Sequence, residues 1–389
     1  MITSPSKTVS ATFSRPGYFP ILDALRFTLA FWVAVGHFEM IPLFGDYNAG
    51  VGFWHFVRHA WSTVVFGTPA VIVFFIISGF CIHLPFRGTG RIDIGCYYLR
   101  RYTRILIPVA GALAVYRLMG RQMIFWGEHS ILWESPLWSL ACEEIYYAMY
   151  PLLRWLRNKF TWRVVLPFSF VISIPLAALH SNAGNWHVYG PFGTALILLP
   201  VWLIGCVLAE ESEILLLLTP KLSIWFWRFI AWLGCWTSEM LHFKLHISYT
   251  QTMVWFGVLS YFWVRQEIIH GKAYPPNRYL VAAGAWSYSL YLVHAEGGSL
   301  VKTFHIPSFG PISNWFLVMA FCLVFAYIFY VLVERPSHKL ARKIKVKGAR
   351  NLVDLGKDSP NIHPEENSLP REAAGVKSQP IMFSPREGK

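Results

Sequence analysis

The sequence predicts an all-α, polytopic transmembrane helix bundle of about ten spans with both termini in the cytoplasm, and three observations carry that expectation. Of 389 residues, 55% are hydrophobic and 17% aromatic but only 14% charged, an apolar excess far from the balance of a soluble domain. Residues 62–84, STVVFGTPAVIVFFIISGFCIHL, carry no formal charge over a length able to cross a hydrocarbon core of roughly 30 Å. The third observation is where the basic residues fall, which gives the orientation.

The opening MITSPSKTVSATFSRPGYFP holds two basic residues but no apolar core or small-residue cleavage site, so no signal peptide is expected to be removed and the first span directs insertion. Residues 1–18 are therefore expected to form a short cytoplasmic segment and 19–340 the membrane domain. Charge-poor stretches and breakers place spans near 20–42, 62–84, 102–119, 138–154, 164–180, 194–210, 222–240, 245–264, 279–297 and 313–334. The third, fourth and seventh are interrupted by Arg104, Arg117, Glu143, Glu144 and Arg228. Residues 164–209 lack formal charge, yet SNAGNWHVYGPFG in their middle carries Gly, Asn and Pro breakers, so that stretch folds back into two spans.

With the N-terminus inside, alternate loops hold Arg87, Arg91, Arg100 and Arg101, then Arg157, Lys159 and Arg163, then Arg265, Lys272 and Arg278, then the basic tail. The opposite loops hold little beyond Arg58, Arg121, Lys244 and Lys302. This asymmetry follows the positive-inside rule and requires an even span count. It also disposes of nucleic acid as the meaning of the +13 formal charge, because the charge is spread over loops facing one membrane surface. Residues 341–389 are polar, charged and Pro-containing without sustained periodicity, a composition expected to stay disordered with its basic start facing anionic headgroups. Cys81, Cys96, Cys142, Cys206, Cys235 and Cys322 show no CxxC or metal spacing and read as packing residues. No internal repeat is evident.

Ionisable groups at membrane depth cost on the order of 2.5–3.5 kcal/mol each at a helix centre on insertion scales. The first span carries Asp23, Arg26 and His37. Arg26 and His37 lie eleven positions apart, about 20° past three full turns with ~16 Å of axial separation, so they share a face. His37 can be a functional base in the outer half of that stripe, or a hydrogen-bonding partner of a neighbouring helix while Arg26 snorkels. In the fourth span, WSLACEEIYYAMYP places Glu143 near the outer end and Tyr147 one turn further in. That topology puts Glu143 at the depth of His37, where a carboxylate could fix the imidazole tautomer and prepare a general base. Glu143 and Glu144 are ~100° apart around the helix, so one of them is structural or interfacial. His294 in WSYSLYLVHAEGG also reaches the outer level, as a site residue or a satisfied core histidine. On the cytoplasmic side YYLRRYTRILIP gives Arg101 and Arg104 the i, i+3 spacing that suits bidentate phosphate binding or plain positive-inside flanking. Ser78 and Gly79 in FFIISGF are small residues of the kind that permit close helix packing.

In this order the segments resemble the acyltransferase-3 family of membrane acyltransferases. The matching pieces are LDALRFTLAFWVAVGHF, FFIISGF, RRYTRILIP, WSLACEEIYYAMYP, SYSLYLVH and the terminal ERP at Glu334 to Pro336. The resemblance implies a ten-span architecture in which Arg26 and His37 form the essential Arg/His motif, with His37 the catalytic residue. It implies that Arg101 and Arg104 serve the acyl-CoA side and that Glu143 is the signature glutamate with Tyr147 its aromatic partner. Beside these, Ser78 is a candidate on the donor side, and His294 and Asp23 are candidates for substrate contact or support. Ala24, Ala141, Cys142 and Ile145 depart from the usual pattern, and none of them removes a titratable group.

The expected activity is transfer of an acyl group, acetyl by default, from cytoplasmic acyl-CoA to a hydroxyl of an extracytoplasmic carbohydrate or glycolipid acceptor. His37 then acts as general base or carries the acyl group itself. The other expected partner is membrane lipid, with no nucleic acid, no metal and no permanently bound cofactor, and the expected location is the bacterial inner (plasma) membrane. The rival reading is a transporter in which buried Arg, His and Glu line a pathway; it would call for internal symmetry or paired broken helices. Outer-loop tryptophans Trp54, Trp126, Trp133 and Trp186 are candidates for sugar stacking beside the interfacial belt role that explains most tryptophans.

Overall fold

The computed structural model describes residues 17–44, 52–88, 92–125, 129–132, 135–180 and 186–344. Among these the chain is helical and contains no strand. Helix α1 spans Pro20–Phe38, α2 Phe53–Ser62, α3 Gly67–His83, α4 Ile94–Leu118, α5 Leu137–Phe160, α6 Trp162–Ala178 and α7 Gly190–Leu215. They are followed by α8 (Ile224–Leu245), α9 (Tyr249–Ala273), α10 (Arg278–Ala283), α11 (Ser287–Thr303), α12 (Pro311–Phe329) and, after a π-helical turn at Tyr330–Glu334, α13 (Arg335–Lys343). Each of the ten expected segments overlaps a helix. By length and apolarity four stretches among the described residues can cross a membrane: Pro20–Phe38, Phe53–Phe86, Gly190–Leu215 and Pro311–Lys343. The protein is a helical membrane protein.

Local chemistry sets the ends. Pro20 and Pro311 stand in the first turns of α1 and α12, where a missing N–H costs nothing. Asp93 caps α4 by accepting from the Cys96 N–H at 3.0 Å, and Asn277 caps α10 through the Tyr279 N–H at 2.8 Å. His246 closes α8 in the left-handed conformation, φ 53°.

The structure corrects the expected boundaries where hydropathy stopped at a charge. α4 begins at Ile94 rather than 102, α5 runs on to Phe160, and α9 continues to Ala273. Helices persist through charged ends because their backbone groups have to be satisfied wherever they approach lipid. The break expected before 245 falls instead at residues 246–248. The stretch before 62 is not plain loop, since it contains α2, whose Phe53, Trp54 and Phe56 are exposed. The expected ninth span is two helices, α10 and α11, and α11 itself has a non-helical residue at Val293 (φ −121°, ψ 15°). The disordered tail expected from 341 starts too early, because α13 is helical to Lys343. Residues 1–16, the loops carrying Arg91 and Asn185, and 345–389 lie outside the described residues.

Small residues let the central helices touch. A Cβ on Gly79 would overlap the Trp202 carbonyl, and one on Gly205 the Ile76 carbonyl, so α3 and α7 pack backbone to backbone. Helices α1 and α3 run antiparallel: Gly36 abuts Gly67 at one level, and Arg26 meets Cys81 at the other. α11 runs parallel to α1, with Trp286 against Phe27 and His294 against His37. α5 runs parallel to α3, since Tyr147 meets Ser78 and Tyr150 meets His83.

Candidate active site

These directions enclose a cavity of about 540 Å³ bounded by α1, α3, α4, α5, α11 and α13. One end of it is polar. Arg26 donates to Asp23 Oδ1 at 3.2 Å and to the Cys81 sulfur at 3.0 Å. The Arg101 guanidinium stacks on the Tyr147 ring, 4.5 Å from its centre, and Arg104 Nε donates to His338 Nε2 at 3.0 Å. Neither Arg101 nor Arg104 has a carboxylate within ion-pairing distance among the described residues. Glu334 lies close to Arg104 in charge terms, but its Oε2 is engaged by the Ser289 hydroxyl at 2.5 Å and N–H at 3.1 Å. Glu143 faces Ser78, Tyr147, Arg101 and Arg26. Ser78 in turn bonds Tyr147 OH at 2.7 Å and accepts from Trp202 Nε1 at 3.3 Å.

The opposite end of the cavity is apolar, lined by Val71, Phe74, Phe75 and Leu140, and Tyr291 closes it. The Tyr291 hydroxyl is 2.6 Å from Ser139 Oγ, its ring meets Phe74 edge-on at 5.7 Å, and the residue is buried.

Beyond that closure, one turn along α11, sits a histidine pair. His294 is fully buried, and its Nδ1 lies 2.9 Å from the Tyr291 carbonyl oxygen. A carbonyl only accepts, so Nδ1 carries the proton and Nε2 is the acceptor. His37 Nδ1 lies 3.0 Å from both the Val33 carbonyl and His294 Nε2. Both of those accept, so His37 Nδ1–H is shared between them and His37 Nε2 keeps its lone pair. His37 is exposed and its Nε2 has no partner among the described residues. An imidazole held in this tautomer with a free Nε2 can take a proton from a hydroxyl brought to it.

The structure therefore brings Asp23, Arg26, Ser78, Arg101, Arg104, Glu143 and Tyr147 to one cavity, and His37 and His294 to a separate pair. The expected meeting of Glu143 with His37 does not occur. His37 stands near the level of Gly67, while Tyr147 meets Ser78 lower on α3. Glu143 is one turn above Tyr147, roughly 10 Å deeper than His37 at 1.5 Å per residue. The partner that fixes the His37 ring is His294. Glu144 lies off the cavity with both carboxylate oxygens buried and unpaired.

Sequence reasoning missed Ser139, Tyr291, His338 and Arg342, and gave Glu334 no role. Glu334, His338 and Arg342 recur at i, i+4, i+8, one face of a helix, which is the signal that could have found them. Arg342, expected in the tail, lines the cavity mouth. Trp54 is exposed on α2; Trp126, Trp133 and the Trp186 side chain lie outside the described residues.

Comparison with known proteins adds an independent line. The profile of a family described as an acyltransferase domain matches residues 19–331. Two curated proteins of Staphylococcus aureus, from strains COL and N315, both provisionally named O-acetyltransferases, are each 22% identical over 375 residues, covering 84% of this chain and 58% of the relative. The chain thus spans little more than half the length of those relatives. No solved structure matches it.

Proposed function

The chain belongs to the acyltransferase-3 family, and from that premise we propose that it transfers an acyl group, acetyl in the first instance, from acyl-CoA to a hydroxyl of an acceptor outside the membrane. The observation that carries this reading is the juxtaposition of two half-sites: a cavity whose polar end holds arginines without carboxylate partners, and beyond Tyr291 a histidine whose free Nε2 is a proton acceptor. The provisional O-acetyltransferase names of the relatives favour oxygen as the acceptor atom and acetyl as the group.

In this reading the bundle has ten spans with both termini cytoplasmic, in the bacterial inner membrane. The cavity mouth at Arg101, Arg104 and Arg342 faces the cytoplasm and the His37 end faces out. The donor phosphates dock on Arg101 and Arg104, whose guanidiniums suit phosphate oxygens, and the thioester arm extends past Ser78 and Glu143 into the apolar end. Tyr291 then has to swing aside; Val293, already outside helical geometry, is the point on α11 where such a change is cheapest. At the dyad, an acceptor hydroxyl on a carbohydrate or glycolipid gives its proton to His37 Nε2 while its oxygen attacks the thioester carbonyl. The carbon–oxygen bond forms, the carbon–sulfur bond breaks, and the departing thiolate takes the proton from the imidazolium. His294 is a positioning residue: it holds the tautomer without touching the reacting atoms.

The test is labelled acetyl delivered to extracytoplasmic glycans, counted per molecule of membrane-inserted protein. His37→Ala is expected to lose roughly 10² to 10⁴ of the rate, the range of general-base help. Transfer retained near the wild-type level would remove His37 from the chemistry and the mechanism with it.

A further inference from the structure

Helix α13, the last among the described residues, lies beyond the residues matched by the family profile, yet it forms one wall of the cavity mouth. Two contacts fix it to α4: Arg100 Nε donates to the Ile344 carbonyl at 2.8 Å, and Arg104 Nε to His338 Nε2 at 3.0 Å. Accepting from Arg104 commits His338 Nε2 to its lone pair, so Nδ1 bears the proton of the neutral ring. Glu334 Oε1 lies 3.5 Å from the same Nε2, on the side of the ring facing Arg104, and the Nδ1–H has no partner among the described residues. Arg342, one turn on, is exposed at the mouth, lines the cavity and has no carboxylate partner among the described residues. Arg335, Lys339 and Lys343 of the same helix do not line the cavity.

We infer that His338 and Arg342 form a second anion subsite, separate from Arg101 and Arg104, which takes the ribose 3′-phosphate of the CoA donor. The inference rests on the acyl-CoA reading above. Its chemical basis is that CoA presents two anionic groups, a pyrophosphate and a phosphomonoester, whereas a simple acyl phosphate presents one. A fixed imidazole N–H beside a guanidinium is a donor set for a phosphomonoester. The same chemistry also fits the phosphate of an anionic lipid headgroup at the membrane surface, and the experiment separates the two.

Full-length protein in phosphatidylcholine vesicles is titrated with CoA and with dephospho-CoA, which lacks only the 3′-phosphate. The wild type is expected to bind CoA about tenfold more tightly, the size of one or two charge-assisted hydrogen bonds. Arg342→Gln removes that preference while leaving dephospho-CoA binding as it was, which also reports that the variant is folded. Arg335→Gln, a change of equal charge outside the cavity, keeps the preference. Adding phosphatidylglycerol to the vesicles leaves the preference intact. A wild type that binds both nucleotides equally overturns the subsite and leaves the donor reading standing, as does an Arg342→Gln variant that weakens both alike. A preference abolished by phosphatidylglycerol assigns the subsite to lipid and overturns it for the donor. Binding of neither nucleotide overturns the donor reading and the subsite together.

Discussion

Two polar regions of this bundle are built on opposite rules. Around the C-terminal end of α7, Glu210, Glu211 and Glu213 each have a basic partner. His83, fully buried, bonds Tyr150 OH at 2.9 Å and Glu210 at 2.8 Å, and the same Glu210 oxygen accepts from Arg157 at 2.6 Å and Trp162 at 3.3 Å. Arg87 pairs with Glu213 and Arg265 with Glu211, while Arg228 grips Glu267 with two hydrogen bonds. In the cavity Arg26 pairs with Asp23, but three arginines are underused: Arg101 stacks on a ring, Arg104 finds a histidine, and Arg342 has no carboxylate partner among the described residues. Nearby, Glu144 and the Tyr288 hydroxyl are buried without partners. Groups that only hold helices together satisfy one another. Groups kept with spare capacity in a membrane mark a place where something else is meant to bind.

The sharpest way to break that contrast is at the histidine pair, where a buried group holds the tautomer of an exposed one. His294→Ala leaves His37 Nδ1–H bonded to Val33 alone, so the ring is free to turn and Nε2 is no longer aimed. Acyl transfer should fall by roughly 10², the lower end of what a positioned base contributes, with the KM for acyl-CoA unchanged because the cavity is untouched. His294→Asn, whose side-chain carbonyl can accept where Nε2 did, should recover part of the loss. A shifted donor KM in His294→Ala, or no rescue by Asn, would mean that His294 shapes the bundle rather than the base.

The ionic rim should respond the other way. Glu210→Ala strands the buried His83 Nε2 and leaves Arg157 only its bonds to Asn158 and the Arg87 carbonyl, and leaving a buried polar group unpaired costs about 1–3 kcal/mol. The expected result is a lower thermal midpoint and less inserted protein, with donor KM and specific activity per folded molecule unchanged. A Glu210→Ala variant that is stable but slow would place the rim in the reaction and erase the distinction.

What the sequence made legible follows from the same contrast. The helices were readable because lipid demands long apolar stretches, and Arg26, His37, Arg101 and Arg104 stood out because charge at depth has a price. The pairing of His37 was not readable. Its level relative to Glu143 depends on how far α3 and α5 slide past each other, which Ser78, Tyr147 and the close α3–α7 contact at Gly79 and Gly205 decide. Neither hydropathy nor spacing along one chain segment encodes that slide. Arg342 was misread for a different reason: a short basic helix after an apolar one has the composition of a solvated tail, and only its i, i+4 relation to His338 and Glu334 distinguishes it.

The smallest expected effect is at Glu144. Its oxygens are buried and unpaired, and the Arg101 charge acts on it from nearby. A carboxylate there draws Arg101 away from any phosphate entering the cavity. It also bears the cost of burial without the hydrogen bonds that offset it. Glu144→Met keeps an unbranched side chain of similar reach and removes the charge. Two small changes should follow in the same variant: the thermal midpoint rises, by an amount equivalent to about 1 kcal/mol, the low end of an unmet buried polar group, and the KM for acyl-CoA falls because Arg101 has one fewer competitor. Glu210→Ala and Glu144→Met are both losses of a glutamate from α7 or α5, so net charge predicts the same sign for each, whereas the satisfied-against-unsatisfied contrast predicts opposite signs in stability. Should Glu144→Met lower the midpoint as Glu210→Ala does, Glu144 has a bound partner of its own, and spare polar capacity no longer separates the cavity from the rim.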